Sequence, residues 1–350
     1  MRILIIGAGA IGCFFAARLA ASGQQVTVAE RPPFADPIRA RGIRLLEPDG
    51  RELTPAVEIA DGLTAALADG RAYDLAFVAV KAYHTASVAA ELGALMSAPF
   101  PVMTVQNGVG NEETLARHLP GVPILAAALT TPIEVLGPGH VKVARPSFRL
   151  GLAPGPGDGD PRPWAAIFTA AGFRTQVFSE HRGLKWTKLL MNLLANAQSA
   201  ILGYTPAQIF ADRALGDLEV RAWREALAVM QAQRIRPVYF GGYPLPLIAP
   251  LARRAPVALL RPLMGRVIGG GRGSKMPSLY FDLYPQPRPP SEIGWLNGAV
   301  VVQGAAVGVP TPVNTVFTQV LQALLAGEEA PAAWQGQPQR LLQAVAQAGG

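Results

Sequence analysis

The chain has 350 residues, 50% of them hydrophobic and 16% charged, enough apolar material for two packed domains and too much for a disordered chain. Its net charge of +7 and pI near 9.8 admit nucleic acid, an anionic membrane surface or small anionic ligands as partners. The basic residues are scattered and no Lys/Arg run interleaves with aromatics, so a small anionic molecule is expected, with neither nucleic acid nor membrane as partner. One cysteine, Cys13, excludes an intramolecular disulfide framework, and four histidines in no ligand spacing lead us to expect no metal.

The opening "MRILIIGAGAIGC" could be read as a short secretion signal before a lipidated cysteine, but its apolar run is short and its positive flank is a single arginine. No segment reaches the roughly 18 uninterrupted apolar residues of a spanning helix. A cytoplasmic protein is expected.

Arg2 to Ile6, "RILII", has the branched, apolar character of a strand covered on both faces. Gly7-Ala8-Gly9-Ala10-Ile11-Gly12 follows, then a helix from Cys13 to Ser22 ended by Gly23, then a second strand from Val26 to Ala29. Strand, G-x-G-x-x-G, helix, strand is the dinucleotide-binding pattern. Gly7 serves the tight turn, Gly9 the approach of a pyrophosphate, and Gly12 the packing of helix on strand; the helix N-terminus offers free N–H groups for the phosphates, and Ala10 and Ile11 of the loop are expected among the cofactor contacts. The alternative is a methyltransferase-like or vestigial glycine loop.

The residue ending the second strand separates the two nicotinamide cofactors, an acid holding a ribose hydroxyl and an arginine a 2′-phosphate. Glu30-Arg31 offers both, so the residues leave the choice open. Two further strand-like runs, Leu75 to Val80 and Pro101 to Val105, end in polar clusters that place Lys81 and Asn107 where ligands lie in an open parallel sheet. A solvated strand end and a plain Asn-Gly turn explain them equally well. Strands are also expected at Ile124 to Ala128, Val141 to Ala144, Phe148 to Leu152 and Thr175 to Phe178, the last three as an antiparallel set.

From about Glu180 the pattern is helical. "KWTKLLMNLLANAQS", Lys185 to Ser199, reads as one buried helix with Lys188, Asn192, Asn196 and Ser199 on a single polar stripe and Lys185 beside it. A partly desolvated lysine has a lowered pKa and can protonate a carbonyl as hydride arrives; a helix–helix polar contact is the plainer reading. A long helix is expected at Ala214 to Arg234 and a last one from Ser291 to before Gly308, while residues 236–262 carry no assignable pattern. The fold class is therefore α/β, a Rossmann-type doubly wound sheet (1–179) followed by an all-α domain (180–325) and a tail or last helix (326–350).

Five blocks, "GAGAIG", "VKAYHT", "QNGVGNEE", "KWTKLLMNLLANAQSAI" and "SEIGWLNGAVVVQGAAVGVPTPVN", run in order from Met1 to about Gln319. Together they resemble the ketopantoate reductase (2-dehydropantoate 2-reductase) family. The resemblance implies NADPH-dependent reduction of 2-dehydropantoate to pantoate, a step toward pantothenate and coenzyme A, by a monomer or homodimer. It makes Lys188 the general acid and Glu292 the acid that orients it and binds the substrate hydroxyl. Asn192, Asn196 and Ser278 become substrate contacts, Lys81 and Asn107 face cofactor and substrate, and Arg31 becomes the 2′-phosphate ligand. Glu30 departs from the family's usual non-acidic residue and leaves NADH open. Gly294 where Asp is common, the Pro-rich spacing between Asp282 and Glu292, and the enlarged segment 236–275 bear on substrate identity, so a reductase of another 2-oxo or 3-oxo acid is the alternative. A nucleotide sensor without turnover is a further one, against which the retained Lys188 and Glu292 speak.

Overall fold

A computed structural model of the chain describes residues 1–157, 159–272 and 275–349. Two compact units divide the chain, 1–185 and 186–350, so the division falls inside a helix, beyond the 179/180 boundary expected from the sequence.

The strands of unit 1 are β1 (Arg2–Ile6), β2 (Gln25–Glu30), β3 (Arg44–Leu46), β4 (Glu52–Leu53), β5 (Glu58–Asp61), β6 (Leu75–Val78), β7 (Val102–Thr104), β8 (Ile124–Leu129), β9 (Ile133–Gly137), β10 (His140–Val143), β11 (Phe148–Pro154) and β12 (Phe173–Val177). Among the described residues, eight of them form one sheet in the order β12-β11-β8-β7-β6-β1-β2-β5. The run from β8 to β5 is parallel; β11 pairs antiparallel with β8 and β12 parallel with β11. Of the strands expected to be antiparallel, β11 is so against β8, whereas β12 instead runs parallel to β11. Val141 to Val143 leaves the main sheet for a second one, β4-β3-β10-β9, in which β10 runs parallel to β3 and antiparallel to β9.

Alternation along the strands shows why the sheet is covered twice. Ile3 and Ile5 of β1 join Phe77 of β6 in one core, while Leu4 and Ile6 join Ala76 and Val78 in the other. The first core holds a ring cluster in which Phe15 stacks on Phe173 at 4.8 Å and meets Phe168 edge-on at 5.8 Å. The helices of unit 1 are α1 (Ala10–Ala21), α2 (Pro32–Arg41), α3 (Gly62–Ala66), α4 (Thr85–Leu95), α5 (Asn111–His118) and α6 (Arg162–Ala170); α7 (His181–Leu193) begins in unit 1 and continues into unit 2.

Unit 2 continues with α8 (Asn196–Leu202), α9 (Pro206–Ala211), α10 (Arg213–Ala232), α11 (Leu245–Arg254), α12 (Val257–Arg272), α13 (Ser278–Leu283), α14 (Asn297–Ala306), α15 (Pro312–Ala326) and α16 (Pro338–Ala348). The unassigned stretch after residue 236 is thus mostly helix. α11 is anchored by Arg224 of α10, whose guanidinium donates to the carbonyls of Ala252 and Ala255, and it leaves Leu247 and Leu251 exposed. The expected last helix is two elements, a 3-10 turn at Glu292–Trp295 and α14, parted at Leu296, whose backbone (φ −104, ψ −100) is not helical. α15 and α16 follow it. The N–H groups of Val313 and Asn314 opening α15 donate to the half-buried carboxylate of Glu225 on α10, a cap supplied from another helix.

Candidate active site

The glycine turn leads from β1 into α1. Gly7 has φ +100, and a Cβ there would stand 2.8 Å from the Val80 side chain. A Cβ on Gly12 would stand 1.9 Å from the Gly7 carbonyl oxygen, so the helix can close on the strand only with glycine at both places. Gly9 differs. Its φ is −71 and nothing lies within 4 Å of where a Cβ would be, so the protein's own packing leaves space beside it. Gly9 caps α1 without a side chain, and the amides of Ala10, Ile11 and Gly12 begin the helix with no intrahelical acceptor. An open cradle at a helix start fits a pyrophosphate.

At the end of β2, Glu30 has a use the sequence reading missed. One carboxylate oxygen accepts from the Ala8 amide and the other from the Arg31 amide, each at 2.8 Å, so Glu30 pins the glycine turn to the neighbouring strand end. The Arg31 guanidinium lies 5.3 Å over the Phe34 ring at the start of α2. Burial, reinforced by the charge of Glu30, pushes the Cys13 thiol up to about 12, which makes it unreactive at neutral pH. His84 titrates below its ordinary value, chiefly through burial and then through the charge of Arg31, against the opposing pull of Glu30. Lys81 and Asn107 follow β6 and β7, adjacent strands of the sheet; Lys81 is exposed and Asn107 half-buried.

In unit 2 the expected single helix from Lys185 to Ser199 is broken. α7 stops at Leu193, Ala195 takes a left-handed conformation (φ 56, ψ 12), and α8 starts at Asn196. The break is held from outside: the Ala195 amide donates at 2.8 Å to the carboxylate of Glu219, a buried residue of α10, while the Trp223 indole of α10 donates to the Leu190 carbonyl. Lys188 and Asn192, both half-buried, still share one face of α7. Asn196 instead opens α8, where its amide nitrogen lies 3.3 Å from the Ser278 hydroxyl and its oxygen accepts from the Leu279 amide at 3.1 Å. Ser199 does not belong to this group: it is fully buried and its hydroxyl makes no hydrogen bond among the described residues.

Glu292 is buried (6% exposed) in the 3-10 turn rather than at the start of a long helix. Beside it, the Ser291 hydroxyl donates to Asp282 of α13 at 2.7 Å, which closes the Pro-rich loop and ties the Glu292 turn to the helix that begins at Ser278. A Cβ at Gly294 would meet nothing within 4 Å. Lys185, read as a neighbour of the polar stripe, belongs to unit 1 and is nearly inaccessible there, paired with Glu112.

A mostly parallel sheet covered on both faces, with a glycine cradle at the start of the helix after its first strand, defines a dinucleotide-binding architecture. Family models narrow this: "Ketopantoate reductase PanE/ApbA" matches residues 3–155 and its C-terminal counterpart residues 180–325. The chain belongs to the ketopantoate reductase family, and is thus an oxidoreductase. It is 28% identical over 334 residues to the 2-dehydropantoate 2-reductase of Mesorhizobium japonicum, covering 89% of this chain and 94% of that one. To the Halobacterium salinarum enzyme of the same name it is 31% identical over 203 residues, 57% of this chain and 65% of that one. A crystal structure of a PanE/ApbA family ketopantoate reductase from Ralstonia eutropha JMP134 superposes with a TM-score of 0.78 at 28% identity, covering 94% of this chain and 99% of that one. D-mandelate dehydrogenase, solved with NADH and anilino(oxo)acetate, shares the fold at 22% identity and a TM-score of 0.76, with 93% and 99% covered.

Proposed function

We propose that the chain reduces the ketone of 2-dehydropantoate to (R)-pantoate with NADPH, and that Lys188 supplies the proton. The reading is supported above all by the contact of Asn196 with Ser278, residues 82 apart in sequence that the family resemblance had named independently as substrate ligands.

Gly7, Gly9 and Gly12, with the amides at Ala10 and Ile11, would hold the cofactor pyrophosphate, and Arg31 the 2′-phosphate. Glu30 is compatible with that phosphate because both of its oxygens already accept backbone N–H groups. Lys81 and Asn107 would face the nicotinamide half and the substrate. When bound, the cofactor supplies the hydride that adds to the ketone carbon. Asn192, Asn196 and Ser278 bind the substrate through hydrogen bonds to its carboxylate and hydroxyl groups. The Lys188 ammonium donates its proton to the carbonyl oxygen as negative charge develops there, and the neutral amine regains a proton from water. Glu292 orients the ammonium and accepts from a substrate hydroxyl.

The chain would work as a monomer or homodimer in the cytoplasm on this small anionic substrate. A second reading, reduction of a different 2-oxo acid, is favoured by the open space at Gly294, where the family commonly carries an aspartate.

Initial rates of NADPH and NADH oxidation, at matched concentrations, with 2-dehydropantoate and a series of other 2-oxo acids separate the two readings. Highest turnover with 2-dehydropantoate and NADPH supports the first; preference for another acid replaces it with the second. Tight cofactor binding without turnover of any acid would leave a nucleotide-binding protein.

A further inference from the structure

The most deeply buried cation described in unit 1 has no part in the chemistry above. Lys185 is 2% exposed, and its ammonium donates to the Gln106 carbonyl at 2.6 Å and to the Ala127 carbonyl at 3.4 Å. The carboxylate of Glu112, 1% exposed, lies 3.0 Å away. That carboxylate accepts no hydrogen bond among the described residues, so it balances the charge while the directed bonds go to backbone.

Gln106 is the residue before Asn107, and the network continues from it. Its side-chain amide donates to the Val80 carbonyl and to the Thr85 hydroxyl, each at 2.9 Å. Thr85 meets the Asn111 side chain at 2.9 Å, and Asn111 donates to the Asn107 carbonyl at 3.1 Å. The chain of contacts therefore fixes the residue before Lys81 and both sides of Asn107, the two strand-end turns assigned to cofactor and substrate. A buried ion pair is a poor stabiliser, since an apolar pair of similar volume commonly folds as well or better. The charge at Lys185 is better explained by what it holds in place.

We infer that Lys185, with Glu112 as its counter-ion, is a positioning residue that presets the β6 and β7 turns for the nicotinamide end of the site. The inference rests on the proposed reductase reading for its kinetic consequence, and on geometry alone for its structural one.

The test is the double substitution Lys185→Met with Glu112→Leu, which removes both charges together, read against the parent protein in two ways. Amide exchange across residues 106–111 in the cofactor-free protein should quicken by about tenfold or more, with global unfolding little changed. Turnover of the oxo acid should fall by roughly tenfold to a hundredfold, while cofactor affinity, set by the glycine turn, shifts by less than about threefold. Thr85→Val, which cuts the link between Gln106 and Asn111 without touching a charge, should move exchange and turnover in the same direction by about threefold, and serves if the double variant does not fold. Parent-like exchange and turnover in the folded double variant, or in Thr85→Val if the double variant does not fold, would overturn the inference. If the parent turns over no oxo acid, the reductase reading fails and the exchange measurement still decides the role of Lys185.

Discussion

The Gly7–Gly12 turn and the Leu193–Asn196 junction both interrupt regular structure beside residues assigned to the chemistry, yet they are built by opposite means. In the first, the constraint is local: Gly12 must be glycine because the Gly7 carbonyl stands where its side chain would be. At the second, Ala195 is held left-handed by a carboxylate 24 residues away on another helix, and no glycine or proline marks the place. Short-range demands leave residue types behind in the sequence. A break imposed from a neighbouring helix leaves only a good helix former in an unhelical position.

Substitutions can sharpen this contrast. The largest effect is expected at the glycine turn, where Gly12→Ala should cost about 3 kcal/mol in denaturant unfolding and abolish measurable cofactor binding. Gly9→Ala should leave stability unchanged and weaken the cofactor by roughly tenfold or more, because its space is kept for the ligand. The opposite pattern, with Gly9 costly to the fold and Gly12 neutral, would reverse the assignment.

At the helix junction, Glu219→Ala should cost about 2 kcal/mol by stranding the Ala195 amide, and Ala195→Gly should return about 1 kcal/mol by relieving the left-handed alanine. Urea denaturation measures both. A neutral Glu219→Ala would mean that the break is set by something other than this bond.

A smaller effect is expected where the sequence offered two opposed residues. Arg31→Ala should raise KM for NADPH by roughly tenfold while moving KM for NADH by less than about twofold. Equal shifts would remove Arg31 from the 2′-phosphate.

The smallest is a pH effect in unit 1. His181 bonds to Glu113 at 3.0 Å and to the Pro154 carbonyl. Burial lowers the His181 pKa, but the bond to Glu113 and the charges of Glu112 and Glu113 outweigh it and hold the pKa above 6.5. Burial raises that of Glu113, and the same bond outweighs it and holds the carboxyl below 4.5. The histidine's contribution is complete below 6.5 and lost as pH rises through its raised value; the glutamate's is complete above 4.5 and lost as pH falls through its lowered value. Glu113→Gln should therefore cost most between about pH 4.5 and 6.5, roughly half a kcal/mol because Glu113 is half exposed, and less at pH 8. A pH-independent difference in melting temperature would contradict the pair.

Legibility in the sequence follows the same division between local and distant causes. The strand–turn–helix–strand opening, the ends of β6 and β7 and the long helix α10 carry their signals in adjacent residues, and they stand close to where pattern reading put them. The small sheet does not: β3 and β4 are three and two residues long, and the other neighbour of β3, β10, lies far along the chain. The polar stripe was half legible, since Lys188 and Asn192 keep their spacing while Asn196 is carried onto a new helix. The meeting of Asn196 with Ser278 was accessible only through family resemblance, as no periodicity links residues so far apart. The buried state of Lys185 was hidden too, because its partners come from the turn after β7, from β8 and from α5.

The most direct measurement is a single turnover of cofactor-loaded protein with excess 2-dehydropantoate, followed through the nicotinamide absorbance in the parent and in Lys188→Ala. Fast oxidation in the parent, slowed about a hundredfold or more in the variant at unchanged cofactor affinity, is the predicted result. Equal rates in the two proteins would take the proton away from Lys188 and contradict the proposed chemistry.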